Sequence, residues 1–188
     1  MGIQIRKIPK HWNYFLCIED DILALSRWIE LAEPNFPCYS VELARLLMVC
    51  ASEVDVVAKS LCKRVAPKQK AGSIGQYQSI LVNEYPQLPR NQVEVPRFGL
   101  KLHPWTNWSR ESNSPNWWKA NNKVKHHRAE HFEKASLDNV LNASAGLFVL
   151  LVLYYGRREA SISPASQLFE PNRFAYRDGN YFVFRPQS

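Results

Sequence analysis

Residues able to do acid–base chemistry concentrate between Ser114 and Lys134, a stretch that holds His126, His127, His131 and the pair Trp117–Trp118. Ser114 followed by Pro115 reads as a helix start: a serine side chain can accept from free N–H groups, and proline needs no hydrogen bond at the first helical position. The predicted helix runs from about Pro115 towards Arg128. At about 100° per residue, Trp117, Ala120, Val124, Arg128 and His131 line one side, and Lys119, Asn122, Lys123 and His126 share an arc of roughly 100° on the other. An imidazole, an amide and two cations within two turns suit the holding of a phosphodiester and the movement of a proton. The same composition also satisfies a plain solvated face, the commoner use of a lysine-rich helix. The four-residue spacing of His127 and His131 places both on one face of a regular helix, as a metal pair would need, but no cysteine or carboxylate stands at a recognisable zinc spacing, so no metal site is assigned.

Two other regions combine cations with aromatic rings. Arg173, Arg177 and Arg185 interleave with Phe174, Tyr176, Tyr181, Phe182 and Phe184, a pattern compatible with nucleic acid and equally with the exposed face of a hairpin. Trp105 and Trp108 have faces on which bases stack, but tryptophans in a long connection more often pin it to the core. A cluster at Lys63, Arg64, Lys68 and Lys70 follows an apolar stripe, where cations complement the carbonyl end of a helix without any ligand. Glu53 lies near that stripe and reads as an interhelical hydrogen bond or ion pair.

The elements that position these residues follow from periodicity. Phe15, Ile18, Ile22, Leu25, Ile29 and Ala32 recur at spacings of three and four, predicting a helix over about 14–33 that ends before Pro34. Ser40 caps a longer helix with its stripe at Leu43, Leu47, Cys50, Val54, Val57, Leu61 and Val65, antiparallel to the first. A third helix spans about 73–84. Alternation at Val93, Val95, Phe98, Leu100 and Leu102 predicts a short extended insertion. Ser136 opens a helix to about Arg158 that is apolar nearly all round, and therefore central or against a second subunit. Asp178–Gly179 between aromatic segments predicts a β-hairpin appendage over 172–186.

The chain has 188 residues, 46% hydrophobic, enough for one sizeable core, and is read as a single domain, 1–188. Its formal charge of +7 favours polyanionic partners. Cys17, Cys38, Cys50 and Cys62 form no CxxC pair, and at least three fall in apolar helical contexts, which predicts reduced thiols and a cytoplasmic setting. The first ten residues lack the apolar run of a secretory signal, and the run 145–155 is shorter than the ~20 residues that cross a bilayer, so no membrane association is expected. Phosphate-cradling glycine loops, the dinucleotide fingerprint, the GxSxG turn and the HExxH helix are absent from the sequence.

Two antiparallel helices, then a polar helix carrying Asn122-Lys-Val-Lys-His126-His-Arg128, then a long apolar helix, resemble the HEPN-like superfamily of all-α domains found in defence, toxin and RNA-processing systems. The resemblance covers about 14–158 and implies a mainly α, antiparallel HEPN-like helical bundle. It further implies a homodimer whose paired polar helices form a composite cleft, and metal-independent cleavage of RNA through the ribose 2′-hydroxyl, with no cofactor. In that scheme His126 moves the proton, Asn122 orients it or the phosphate, Lys119 or Arg128 stabilises phosphate charge, and Lys123, Lys125 and His127 contact RNA. Active members place an arginine shortly before the histidine; here Lys119 is the nearest cation upstream and Arg128 lies downstream. The other form the resemblance allows is a catalytically silent dimerisation or regulatory module beside an antitoxin or effector partner. A third reading, a helical small-molecule binder, requires a closed aromatic pocket around Trp105, Trp108, Trp117 and Trp118.

Overall fold

A computed structural model describes residues 9–185. The expectation about a leader in residues 1–8, and the last residue of the predicted 172–186 appendage, lie outside the described residues.

The protein is mainly α. Ser40 begins the longest helix, α2 (Val41–Val65), by accepting from the Leu43 N–H with its side chain. Ser136 does the same for the Asn139 N–H at the start of α5 (Leu137–Gly156). These two helices form the axis of the molecule and run parallel. The Leu137 N–H donates to the Cys38 carbonyl at one end, Cys50 Sγ lies 3.1 Å from Ser144 Oγ midway, and Arg64 Nη1 donates to the Tyr154 carbonyl at the other. Burial pushes the Cys50 thiol up to about 12, so it is a protonated core group; the buried Cys62 thiol is likewise pushed up to about 12. Cys17 and Cys38 are exposed, so two of the four cysteines, not three, pack as small hydrophobes.

Three further helices wrap this axis: α1 (Lys10–Leu25), α3 (Ile74–Glu84) and α4 (Asn116–His131). The α1–α2 pair is the antiparallel hairpin that the short connection predicts, tied at one end by Arg45 reaching Asp21 at 2.7 Å and at the other by His11 and Glu53. Helix α1 begins four residues earlier and ends eight residues sooner than the 14–33 expectation. After Leu25 the Ser26 hydroxyl donates back to the Leu23 carbonyl and the chain turns, so Ile29 and Leu31 cover the core from an irregular segment. Apolar spacing alone could not distinguish that arrangement from two more helical turns. The third helix forms within the expected 73–84 span, and the Ser73 side chain caps it by accepting from the Gln76 N–H.

Helix α5 meets the length and hydropathy of a membrane span, and 78% of its apolar window is buried inside the fold. Its predicted central role is met within one chain, by α1, α2, α4 and the strands. The helix matches the expected span from Ser136 to about Arg158, but the 145–155 run is only part of it; at 20 residues its length does not exclude a span, and burial marks it as a core helix.

The extended insertion forms β1 (Val93–Val95) and β2 (Leu100–Leu102), antiparallel with Val93 opposite Leu102. The C-terminal region adds β3 (Ser161–Ile162), β4 (Glu170–Pro171), β5 (Ala175–Asp178) and β6 (Tyr181–Phe184). Strand β4 pairs with β1, giving the order β2-β1-β4, and the second sheet has the order β3-β6-β5. The predicted hairpin is therefore β5–β6, but it is not an appendage. Phe182 is fully buried, with its ring 5.5 Å from Phe148 on α5 and 6.1 Å from Trp12 on α1. Alternation along β6 turns Phe182 inward, and the core closes over it. Gly179 takes the left-handed φ of 57° that the turn needs, and a Cβ there would meet no neighbour within 4 Å. Gly179→Ala is expected to lower stability by about 1 kcal/mol, from backbone strain alone, in a denaturant titration.

Candidate nucleic-acid interface

Helix α4 is held by its first turn. Trp117 is 2% exposed; its indole N–H donates to the Pro104 carbonyl at 2.9 Å, and its ring meets Trp105 edge-on at 5.3 Å. Gly146 on α5 makes room for both rings: a Cβ there would lie 3.2 Å from Trp117 and 3.3 Å from Trp105. Trp105 and Trp108 are buried with ring centroids 4.2 Å apart and planes tilted by 41°, and Trp118 lies half-buried against Trp117. The four tryptophans thus fill the space between the 104–108 connection, α4 and α5. They pin the connection to the core, and the closed aromatic pocket required by a small-molecule reading is occupied by the rings themselves.

From this anchor Ala120 and Val124 continue the buried stripe, joined by Asn121 at 7% exposure. Asn121 Oδ1 has no hydrogen-bond partner among the described residues, nor do the indole N–H groups of Trp105 and Trp108. The neighbouring Asn122 is exposed. Ser114 does not cap the helix; Pro115 occupies the cap position with no side-chain bond, and α4 starts at Asn116.

The side predicted to align Trp117, Ala120, Val124, Arg128 and His131 is interrupted at its far end. His127 has φ −140° and ψ 45°, outside helical geometry, so the 100° progression breaks there. Arg128 is consequently exposed instead of aligned with Val124, and the four-residue separation of His127 and His131 no longer places them on one helical face. Among the described residues no three His, Cys, Asp or Glu side chains gather as a metal site.

Before the kink, Lys119, Asn122, Lys123 and His126 are all exposed, as is Lys125 beside them; His127 and Arg128 are exposed beyond it. Lys119 Nζ donates to Asn113 Oδ1 at 2.8 Å, which ties this cation to the loop before the helix. Among the described residues, Lys119, Lys123, Lys125 and Arg128 form no ion pair, and no carboxylate lies within pairing distance of His126. The helix carries no acidic residue until Glu130. The result is an uncompensated basic strip with an accessible imidazole, able to contact successive phosphates through several point charges.

One histidine partnership escaped the sequence reading. His11 Nδ1 lies 2.6 Å from Glu53 Oε1, with the side chains 27% and 13% exposed. Glu53 signalled itself by its position beside the α2 stripe and makes the interhelical bond expected of it. Its partner lies before the predicted start of α1, where no periodicity pointed to a helix.

Comparison of the chain with protein-family models, with curated proteins and with solved structures finds no match.

Proposed function

We propose that the chain is an RNA-binding helical domain of HEPN-like type, at work in a cytoplasmic defence or toxin system, with the exposed face of α4 as its phosphodiester contact. The observation that carries this reading is the unpaired strip of Lys119, Lys123, Lys125 and Arg128 around Asn122 and His126. Cations free of carboxylate partners are available to displace counterions from a nucleic-acid backbone. In this reading RNA cleavage is metal-independent and needs a homodimer: one chain presents His126 without a second group to orient it, and the facing copy supplies the missing cation. His126 then takes the 2′-hydroxyl proton and Asn122 aligns the phosphate.

A second reading, a catalytically silent dimerisation or regulatory module with an antitoxin or effector partner, is favoured by Lys119, the nearest cation upstream of His126, whose Nζ is engaged by Asn113 Oδ1 at 2.8 Å.

Two measurements test the proposal. Lys123→Ala/Lys125→Ala should weaken binding of a short fluorescent oligoribonucleotide about tenfold and reduce the salt slope of log K by roughly 1.4, as expected for two lost phosphate contacts on a single strand. Unchanged affinity and slope would refute the α4 interface. Incubation of an RNA pool in EDTA with wild type and His126→Ala separates the two readings. Fragments ending in cyclic phosphate from the wild type alone support the ribonuclease; intact RNA from folded, dimeric wild type supports the silent module.

A further inference from the structure

A second basic concavity stands apart from the α4 face. It lies where the parallel helices α2 and α5 end, has a volume of about 520 Å³, and is lined by Ser60, Lys63, Arg64, Arg157 and Arg158. The far end of α4 lies at the opposite end of the bundle, where Phe132 meets Tyr39, and its first turn packs at Gly146, roughly 16 Å along α5 from Arg157. The lining is one hydroxyl and four cations, with no carboxylate.

Part of this charge has a structural use. Arg64 lies over the Tyr154 ring at 3.4 Å and donates to the Tyr154 carbonyl at 2.8 Å, satisfying an end group of α5. Arg157 donates to Glu84 at 2.6 Å and to the Tyr85 hydroxyl at 2.8 Å. Lys63 and Arg158 form no ion pair among the described residues. Two helix C-termini contribute about half a negative charge each, and Glu84 one more, which leaves the lining an excess of roughly two positive charges. Glu159 follows Arg158 on the exposed surface and does not line the cavity. Burial holds the Arg64 guanidinium below its ordinary value, and the like charge of Arg158 adds to the effect. A bound dianion would relieve that repulsion.

We propose that this cleft is a phosphate-binding site, separate from the α4 face, in which Lys63 and Arg158 make the charged contacts, Ser60 donates a hydroxyl and Arg64 forms the fixed wall. Its volume lies within the range of small-ligand sites and accommodates a phosphate carried on a nucleotide. A phosphate of an RNA backbone has the same chemistry, and the two sources are separable. The proposal does not depend on RNA binding at α4.

The test uses the full chain, with pyrophosphate and ATP followed by calorimetry and a fluorescent oligoribonucleotide by anisotropy. Lys63→Glu/Arg158→Glu should weaken at least one probe about tenfold or more, the loss of charged hydrogen bonds, with the melting temperature unchanged. Lys123→Ala/Lys125→Ala should leave pyrophosphate and ATP binding as in the wild type. Cleft-dependent binding of pyrophosphate or ATP identifies a free phosphate ligand; cleft-dependent binding of the oligoribonucleotide alone identifies a backbone phosphate. Should charge reversal lower the melting temperature, Lys63→Gln/Arg158→Gln replaces it with the same expectation. If no probe depends on the cleft residues, the proposal fails, whatever the α4 variants show.

Discussion

Trp117→Ala is expected to lower the stability of the fold by about 4 kcal/mol, the usual cost of removing a buried tryptophan from a site that cannot collapse. The site cannot collapse because its walls are other large rings. Trp105 and Trp108 are already in contact, and Gly146 offers no side chain to fill the space. The substitution also strands the Pro104 carbonyl, which has the Trp117 indole as its donor. Trp117→Phe separates the two contributions: it keeps an aromatic ring and loses the hydrogen bond, and should retain most of the stability. Urea titrations of the two variants against wild type measure both values. A loss below about 1 kcal/mol for Trp117→Ala would show that the tryptophan cluster does not fix α4, because surface substitutions typically fall in that range. The same cluster sets the direction of the α4 basic strip, so the stability measurement bears on the candidate interface as well as on the core.

Glu19→Ala is expected to cost roughly 2–3 kcal/mol, because one buried carboxylate serves several donors. Glu19 is 1% exposed; it accepts from the Gln167 N–H at 2.9 Å, the Leu168 N–H at 3.0 Å and the Ser166 hydroxyl. It thereby fastens the segment between β3 and β4 to α1, and Leu168 and Phe169, both buried, depend on that segment's path. Burial raises the Glu19 carboxyl above its ordinary value of 4.5, outweighing the hydrogen bonds from Ser166, Gln167 and Leu168 that favour the charged form. An acid whose folded pKa is raised binds its proton more tightly in the folded state than in the unfolded one. Its favourable contribution is therefore complete below 4.5 and is lost as pH climbs through the folded value. Glu19→Gln removes the titration while keeping one acceptor. The stability of wild type minus that of Glu19→Gln should fall as pH rises above 4.5 and level off once the folded carboxyl has ionised. Taking the difference cancels the other groups, including Asp138, which burial also raises. A difference that is flat or rises over this range would contradict the direction assigned to Glu19.

Most of the fold was legible where local rules were sufficient. Ser40 marked a helix start by its cap, and Ser73 and Ser136 stood at the starts of two more; Ser114, read by the same rule, does not cap, because Pro115 takes the cap position of α4. The stripe of α2, the apolar girth of α5, the alternation of β1 and β2, and the hairpin around Gly179 were likewise carried by neighbours in sequence. So was the exposed basic face of Lys119, Asn122, Lys123 and His126, which depends on a single helix remaining regular from Asn116 to His126.

Tertiary structure decided whatever depends on groups far apart in the chain. The segment after Leu25 kept a helical pattern of apolar residues without a helix, because the core needed Leu31 at a position that a straight helix would miss. Arg128 left the stripe assigned to it because the backbone breaks at His127, a change of direction that no residue type announces. His11 met Glu53 across 42 residues, and Glu19 met Ser166 across 147. Lys63 and Arg64 looked like ordinary cations at a helix end until Arg157 and Arg158 arrived beside them from a second helix. Sequence by itself determined the helices and the polar strip, since hydrogen bonding and amphipathicity act over one or two turns. Which carboxylate is dry was decided when the segment between β3 and β4 closed over Glu19, and where a cavity remains was decided when α2 and α5 came to lie parallel, bringing the ends of both to the same side of the molecule.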